Sequence, residues 1–126
     1  MLPLSILMTK EVKKVSSKTT LYETAQLMKK YKIGSLLVEE GDECIGIVSE
    51  TDLVRKGLAE SVDPYKTPID SIMSSPVISI DIKKSAKEAS DMMSERGIRH
   101  LAVTEHARIV GMLSVRDILI YYKNAF

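Results

Sequence analysis

Displaced by 65 residues, the sequence aligns with itself, residues 3–55 matching 68–120 without a gap. Identities fall at 13 of these 53 positions, among them Pro3/Pro68, Met8/Met73, Met28/Met93, Ile33/Ile98, Gly46/Gly111, Ser49/Ser114 and Asp52/Asp117. Many other positions exchange like for like, as in Leu27/Met92, Ile45/Val110 and Val48/Leu113. Such a chain is two copies of one structural unit. The repeat assigns residues 1–58 to a first copy, 59–66 to a linker and 67–126 to a second copy, forming one tandem module.

Each copy carries the same local signals. Pro3 and Pro68 suit the first turn of a short helix, with Thr67 as a natural cap in the second copy. Extended stretches are predicted at 12–15 and 77–80. Thr20-x-x-Glu23 and Ser85-x-x-Glu88 are capping boxes that open a helix. Its apolar stripe is predicted to run through Leu21, Ala25 and Met28 in one copy and through Ala86, Ala89, Ser90 and Met93 in the other. Strands follow at 35–39 and 44–48, and at 100–104 and 108–113, with Glu40-Gly-Asp-Glu43 as a hairpin turn. A second helix, 50–58 or 115–123, closes each copy. A unit of about 55 residues is too small to bury both faces of a three-stranded sheet. The expected fold class is therefore α/β (α+β): two pseudo-two-fold-related β-α-β-β-α repeats packed through their sheets, with an equivalent groove on either side of the axis.

Composition narrows the partners. The 126 residues carry 18 Lys+Arg against 17 Asp+Glu, a net charge of +1, which disfavours nucleic acid as a partner. No apolar run approaches the length of a membrane span. A single cysteine, Cys44, allows no intramolecular disulfide. These features lead us to expect a cytoplasmic protein that does not use a membrane. His100, His106 and Cys44 lack metal-ligand spacing, no glycine-rich phosphate loop is present, and no nucleophile is paired with a base. Neither a metal site nor an enzyme is expected.

The chemistry that remains lies in Gly46-Ile-Val-Ser-Glu-Thr-Asp52 and its counterpart Gly111-Met-Leu-Ser-Val-Arg-Asp117. In each, an apolar strand leads into Ser-x-x-Asp at the start of a helix. Locally this is a capping box. The same turn also offers free N–H groups to a phosphate and a carboxylate to the hydroxyls of a ribose.

The ordered set of Ser75-Pro-Val77, Ile33-Gly-Ser-Leu36 with Ile98-Arg-His-Leu101, and the doubled Gly-x-x-Ser-x-x-Asp resembles the cystathionine-β-synthase-type (CBS) domain, which occurs in tandem pairs. The resemblance covers nearly all of residues 3–123. It implies a regulatory sensor of adenosine-containing ligands (AMP, ADP, ATP or S-adenosylmethionine) held in the two grooves, with no cofactor required. One site would combine Ile47, Ser49 and Asp52 with Ser75, Ile80, Ile98, Arg99 and His100. Its mate would combine Met112, Ser114 and Asp117 with Lys10, Val15, Ile33, Gly34 and Ser35. Lys10, Arg99 and Arg116 are the cations nearest a phosphate tail. Glu11 stands where the family's early proline, kept as Pro76, is expected, so the mate site departs from the pattern.

The final helix is apolar on more than one face, which points to a partner surface. The resemblance implies a homodimer through these helices, and a protein target supplied in trans. The alternative is a structural dimerisation or protein-interaction module without a ligand site.

Overall fold

The computed structural model describes residues 2–125. They divide into two compact units, a first comprising Lys13–Val77 and a second comprising Met1–Val12 with Ile78–Phe126. In chain order the elements are α1 (Leu4–Leu7), β1 (Lys14–Ser16), α2 (Leu21–Tyr31), β2 (Ser35–Glu40), β3 (Glu43–Ser49), α3 (Glu50–Asp52), a π-helical segment (Leu53–Leu58) and a 3-10 turn (Ile69–Ser71). They continue with β4 (Ser79–Asp81), α4 (Ala86–Arg96), β5 (His100–Glu105), β6 (Arg108–Ser114) and α5 (Val115–Ala125). The mixed α/β class and the repeated β-α-β-β-α order are those read from the sequence.

Each unit holds a three-stranded sheet, β1-β2-β3 in the first and β4-β5-β6 in the second. The leading strand runs parallel to the central one and the hairpin strands are antiparallel, with a bulge at Val38/Glu39 and again at Val103/Thr104. In the first unit Val15, Leu21, Met28, Leu36, Val38, Val48, Ile69 and Ile72 form the core. In the second the core is Leu4, Ile80, Ala86, Ala89, Met93, Leu101, Val103, Leu113 and Ile118. The central strands bury three consecutive residues, Leu36–Leu37–Val38 and Leu101–Ala102–Val103. Alternate side chains on a strand point to opposite faces, so both faces of each central strand are shielded from water.

The packing units cut across the sequence repeats at their leading segments. Leu4, at the head of the chain, lies in the core of the β4-β5-β6 unit, whereas Ile69 and Ile72 lie in that of the β1-β2-β3 unit. Each copy thus lends its opening residues to the sheet of the other. The repeated glycines explain how. A Cβ on Gly46 would stand 2.6 Å from Met73 Sδ and 2.8 Å from the Ser74 carbonyl, and one on Gly111 would stand 2.5 Å from Met8 Sδ and 3.0 Å from the Thr9 carbonyl. Only a residue without a side chain lets the incoming backbone approach this closely.

Several local expectations shift. Pro3 and Pro68 occupy the N-cap position with extended backbone, one residue before the first turn, and Thr67 makes no cap because the chain enters through the proline itself. The leading strands are Lys14–Ser16 and Ser79–Asp81, where the parallel ladder with Leu37–Glu39 and Ala102–Thr104 forms. In α2 the stripe passes through buried Thr24 rather than exposed Ala25. The Thr24 hydroxyl donates to the Thr20 carbonyl at 2.8 Å, so its burial leaves no unmet hydrogen bond. The helix expected over 50–58 widens after one turn into the π-helical segment, in which the Ala59 N–H reaches back five residues to the Val54 carbonyl. Gly57 lies inside this segment, where it weakens the preference for the tighter α-helix, and Leu21 packs where its Cβ would be.

Candidate functional site

The two Ser-x-x-Asp turns are built alike. Ser49 Oγ accepts the Asp52 N–H at 3.2 Å, and Asp52 Oδ2 accepts from the Ser49 N–H at 3.0 Å and from its hydroxyl at 3.2 Å. Ser114 Oγ accepts the Asp117 N–H at 3.2 Å, and Asp117 Oδ2 accepts the Ser114 N–H at 2.8 Å. The reciprocal bonds fix each carboxylate at the end of its strand. Behind the turn, the carbonyl of Gly34 accepts the Glu50 N–H and that of Arg99 accepts the Val115 N–H, both at 3.0 Å. Ser35 pairs with Ser49, and His100 with Ser114.

The incoming segments dock beside these turns by matching pairs of bonds. Ile47 and Ser74 exchange N–H···O bonds of 3.0 and 2.8 Å, and Met112 and Thr9 exchange bonds of 2.9 and 2.8 Å. Ser75 Oγ also donates to the Ile45 carbonyl at 2.9 Å. Within the first unit the structure therefore gathers Ile47, Ser49, Asp52 and Ser75 with Gly34 and Ser35. Within the second it gathers Met112, Ser114, Arg116 and Asp117 with Lys10, Arg99 and His100. Inside each unit the pre-strand residues stand against the turn of their own copy, because β2 and β3, or β5 and β6, are one hairpin.

Val15 and Ile80 are core side chains, 5% and 3% exposed, and Ile33 and Ile98 pack against the two cores. Lys10, Arg99 and Arg116 are exposed. One residue that sequence reasoning missed is Lys56. Its Nζ lies 3.2 Å from Asp52 Oδ1, 3.4 Å from Ser74 Oγ and 3.4 Å from the Ile72 carbonyl. It ties the helix, the carboxylate and the incoming segment together. Its spacing of four from Asp52 was the available signal, since side chains four apart share a helix face.

The Cys44 thiol lies half-buried with Sγ 3.7 Å from the Gly46 carbonyl, and burial holds its pKa above the ordinary thiol value. It is a packing group rather than an activated nucleophile. Among the described residues no three His, Cys, Asp or Glu side chains gather to hold a metal ion, and no helix is long and apolar enough to cross a membrane.

The sequence profile of the CBS domain matches residues 5–59 and 69–124. The chain belongs to the CBS domain family. An uncharacterized protein of Methanopyrus kandleri is 36% identical over 102 residues, 79% of this chain and 52% of its own length. This chain therefore spans about half of that relative. Among solved structures, an uncharacterized conserved protein of Pyrococcus horikoshii superposes with a TM-score of 0.89 at 28% identity, covering 96% of this chain and 92% of that one. A hexameric CBS-CP12 protein from bloom-forming cyanobacteria gives a TM-score of 0.86 at 30% identity, with 94% and 70% covered. As a CBS domain pair, the chain falls in a class of regulatory, ligand-binding modules.

Proposed function

We propose that this CBS domain pair is a non-enzymatic sensor of adenosine-containing ligands, in which Asp52 and Asp117 accept hydrogen bonds from ribose hydroxyls. The observation that carries the reading is the same pinned carboxylate built twice, each beside a backbone pair that anchors an incoming segment. In both units Oδ2 is engaged by the serine. That leaves Oδ1 of Asp117 to meet a hydroxyl, whereas Oδ1 of Asp52, 3.2 Å from Lys56 Nζ, accepts one beside the ammonium group. Ligand occupancy then stabilises one arrangement of the incoming segment, which a partner protein can read.

A second property has its own support. On α5, Leu119 and Ile120 are 61% and 48% exposed, and Ile6 on neighbouring α1 is 63% exposed. Large aliphatic side chains so placed favour self-association, and we propose a homodimer through this face. The hexameric state of the cyanobacterial neighbour is in keeping with it.

The test is a thermal-shift and calorimetric panel with adenosine, AMP, ADP, ATP and S-adenosylmethionine on the parent, Asp52→Ala and Asp117→Ala. A ligand at about 100 times its Kd adds about 2.7 kcal/mol to stability. Each alanine variant is expected to lose about ten-fold or more in affinity at its own turn. Undiminished binding in both variants refutes the ribose assignment, and a flat panel with a stable dimer favours the assembly module.

A further inference from the structure

Resting on the ribose reading above, we infer that the two turns take ligands of different charge, and that the Asp117 turn is the one that accepts a polyphosphate. Backbone hydrogen bonds carry three basic residues to the neighbourhood of that turn. Lys10 follows Thr9, which exchanges two hydrogen bonds with Met112. Arg99 carries the carbonyl that accepts the Val115 N–H, and Arg116 is the next residue along. All three side chains are exposed, and none is bound in an ion pair among the described residues.

The equivalent positions of the first unit, 65 residues away, are Ser75, Gly34 and Thr51, each uncharged. That unit also has Glu50 where the second has Val115. The cation at its carboxylate, Lys56, is held by Asp52, Ser74 and the Ile72 carbonyl. With Glu11 counted beside Lys10, the formal charge around Asp117 is +1, and with Lys56 counted that around Asp52 is −1. The fold demands neither set, since both turns close with the same reciprocal bonds to backbone N–H groups. Two units of charge at short range separate an anion from a neutral or cationic ligand. Adenosine triphosphate belongs to the Asp117 turn. The Asp52 turn suits an adenosyl ligand without net negative charge, of the kind a nucleoside or a sulfonium provides.

Calorimetry with adenosine, ATP and inorganic tripolyphosphate tests this on the parent, Asp52→Ala, Asp117→Ala and the double variant Lys10→Ser/Arg116→Thr, which installs the residues of the other copy. ATP binding is expected to survive Asp52→Ala and to be lost in Asp117→Ala. The double variant is expected to lower ATP affinity about ten-fold or more per cation, to flatten its salt dependence, and to leave adenosine unchanged. An unaltered ratio of ATP to adenosine affinity in the double variant overturns the inference, as does ATP binding that depends on Asp52 alone. If no nucleoside binds the parent but tripolyphosphate does, and the double variant abolishes it, the ribose reading fails while the anion site stands. If neither probe binds, both fall.

Discussion

The first and second units share every backbone bond that closes the strand-to-helix turn, yet differ at nearly every charged position around it. Gly46 and Gly111 are identical because the incoming backbone must approach closely, and Ser49 and Ser114 because each caps a helix. Asp52 and Asp117 are identical because each returns the serine's bond. Lys10, Arg99 and Arg116 against Ser75, Gly34 and Thr51 serve no such geometry, and there the copies diverge. A repeat thus separates the residues required by the backbone from those free to set what it binds. The helices show the same division. In the second unit α5 runs from Val115 to Ala125 as an α-helix, whereas in the first the corresponding stretch turns π-helical at Leu53 around Gly57.

The shared part breaks first at the glycines. Gly46→Ala places a methyl group against Met73 and the Ser74 carbonyl, and Gly111→Ala places one against Met8 and the Thr9 carbonyl. A methionine end yields easily, but a carbonyl paired in a ladder does not. We expect each variant to cost about 1–3 kcal/mol in urea unfolding, with Gly46→Ala the worse because its backbone contact is closer. Equal, negligible losses would show that the incoming segments do not need this approach.

A smaller effect sits at the helix caps. Thr20 Oγ accepts the Glu23 N–H at 3.1 Å, and Ser85 Oγ accepts the Glu88 N–H at 3.1 Å, so the two caps are equivalent in geometry. Thr20→Ala and Ser85→Ala should each cost about 1 kcal/mol. In the first unit the Thr20 backbone N–H, and then its hydroxyl, hold the Glu23 carboxyl below the usual carboxylate range. A lowered folded pKa means that this contribution is complete above the unfolded value and is lost as pH falls through the folded one. Glu23→Gln should therefore flatten the acid limb of the stability profile, and an unchanged limb would exclude the cap from acid unfolding.

Much of this was legible before the structure. The register of the repeat, the capping boxes, the hairpins and the Ser-x-x-Asp turns are local signals, written within a few residues of one another. What was not legible depends on distant partners or on how a helix is turned against its sheet. Nothing near Ala25 says that the stripe runs through Thr24, because that depends on the hydroxyl finding the Thr20 carbonyl. The exchange of leading segments pairs Met73 with Gly46 and Met8 with Gly111 across tens of residues, and periodicity carries no such information. The identity of Met8 with Met73 and of Gly46 with Gly111 was the trace it left. Lys56 escaped because a lysine on a helix is usually only solvated.

The smallest difference between the units is an ion pair that one of them lacks. Lys18 Nζ lies 2.9 Å from Asp70 Oδ2, joining the residues after β1 to the 3-10 turn, and this hydrogen-bonded carboxylate raises the lysine pKa. In the second copy Lys83 is kept, but the position equivalent to Asp70 is Ser5, so the pair cannot form. The raised folded pKa places the contribution of Lys18 at pH below its unfolded value and removes it as pH rises through the folded one. Lys18 is exposed and the pair is open to salt, so screening should leave little of it. Lys18→Met is accordingly expected to lower Tm slightly at low ionic strength and neutral pH, and Lys83→Met not at all. The difference should shrink in about 1 M salt, where the screening length falls to about 3 Å. A loss that persists in salt would mean that Lys18 acts through the packing of its alkyl stem, and the unit would then depend on the residue rather than on its charge.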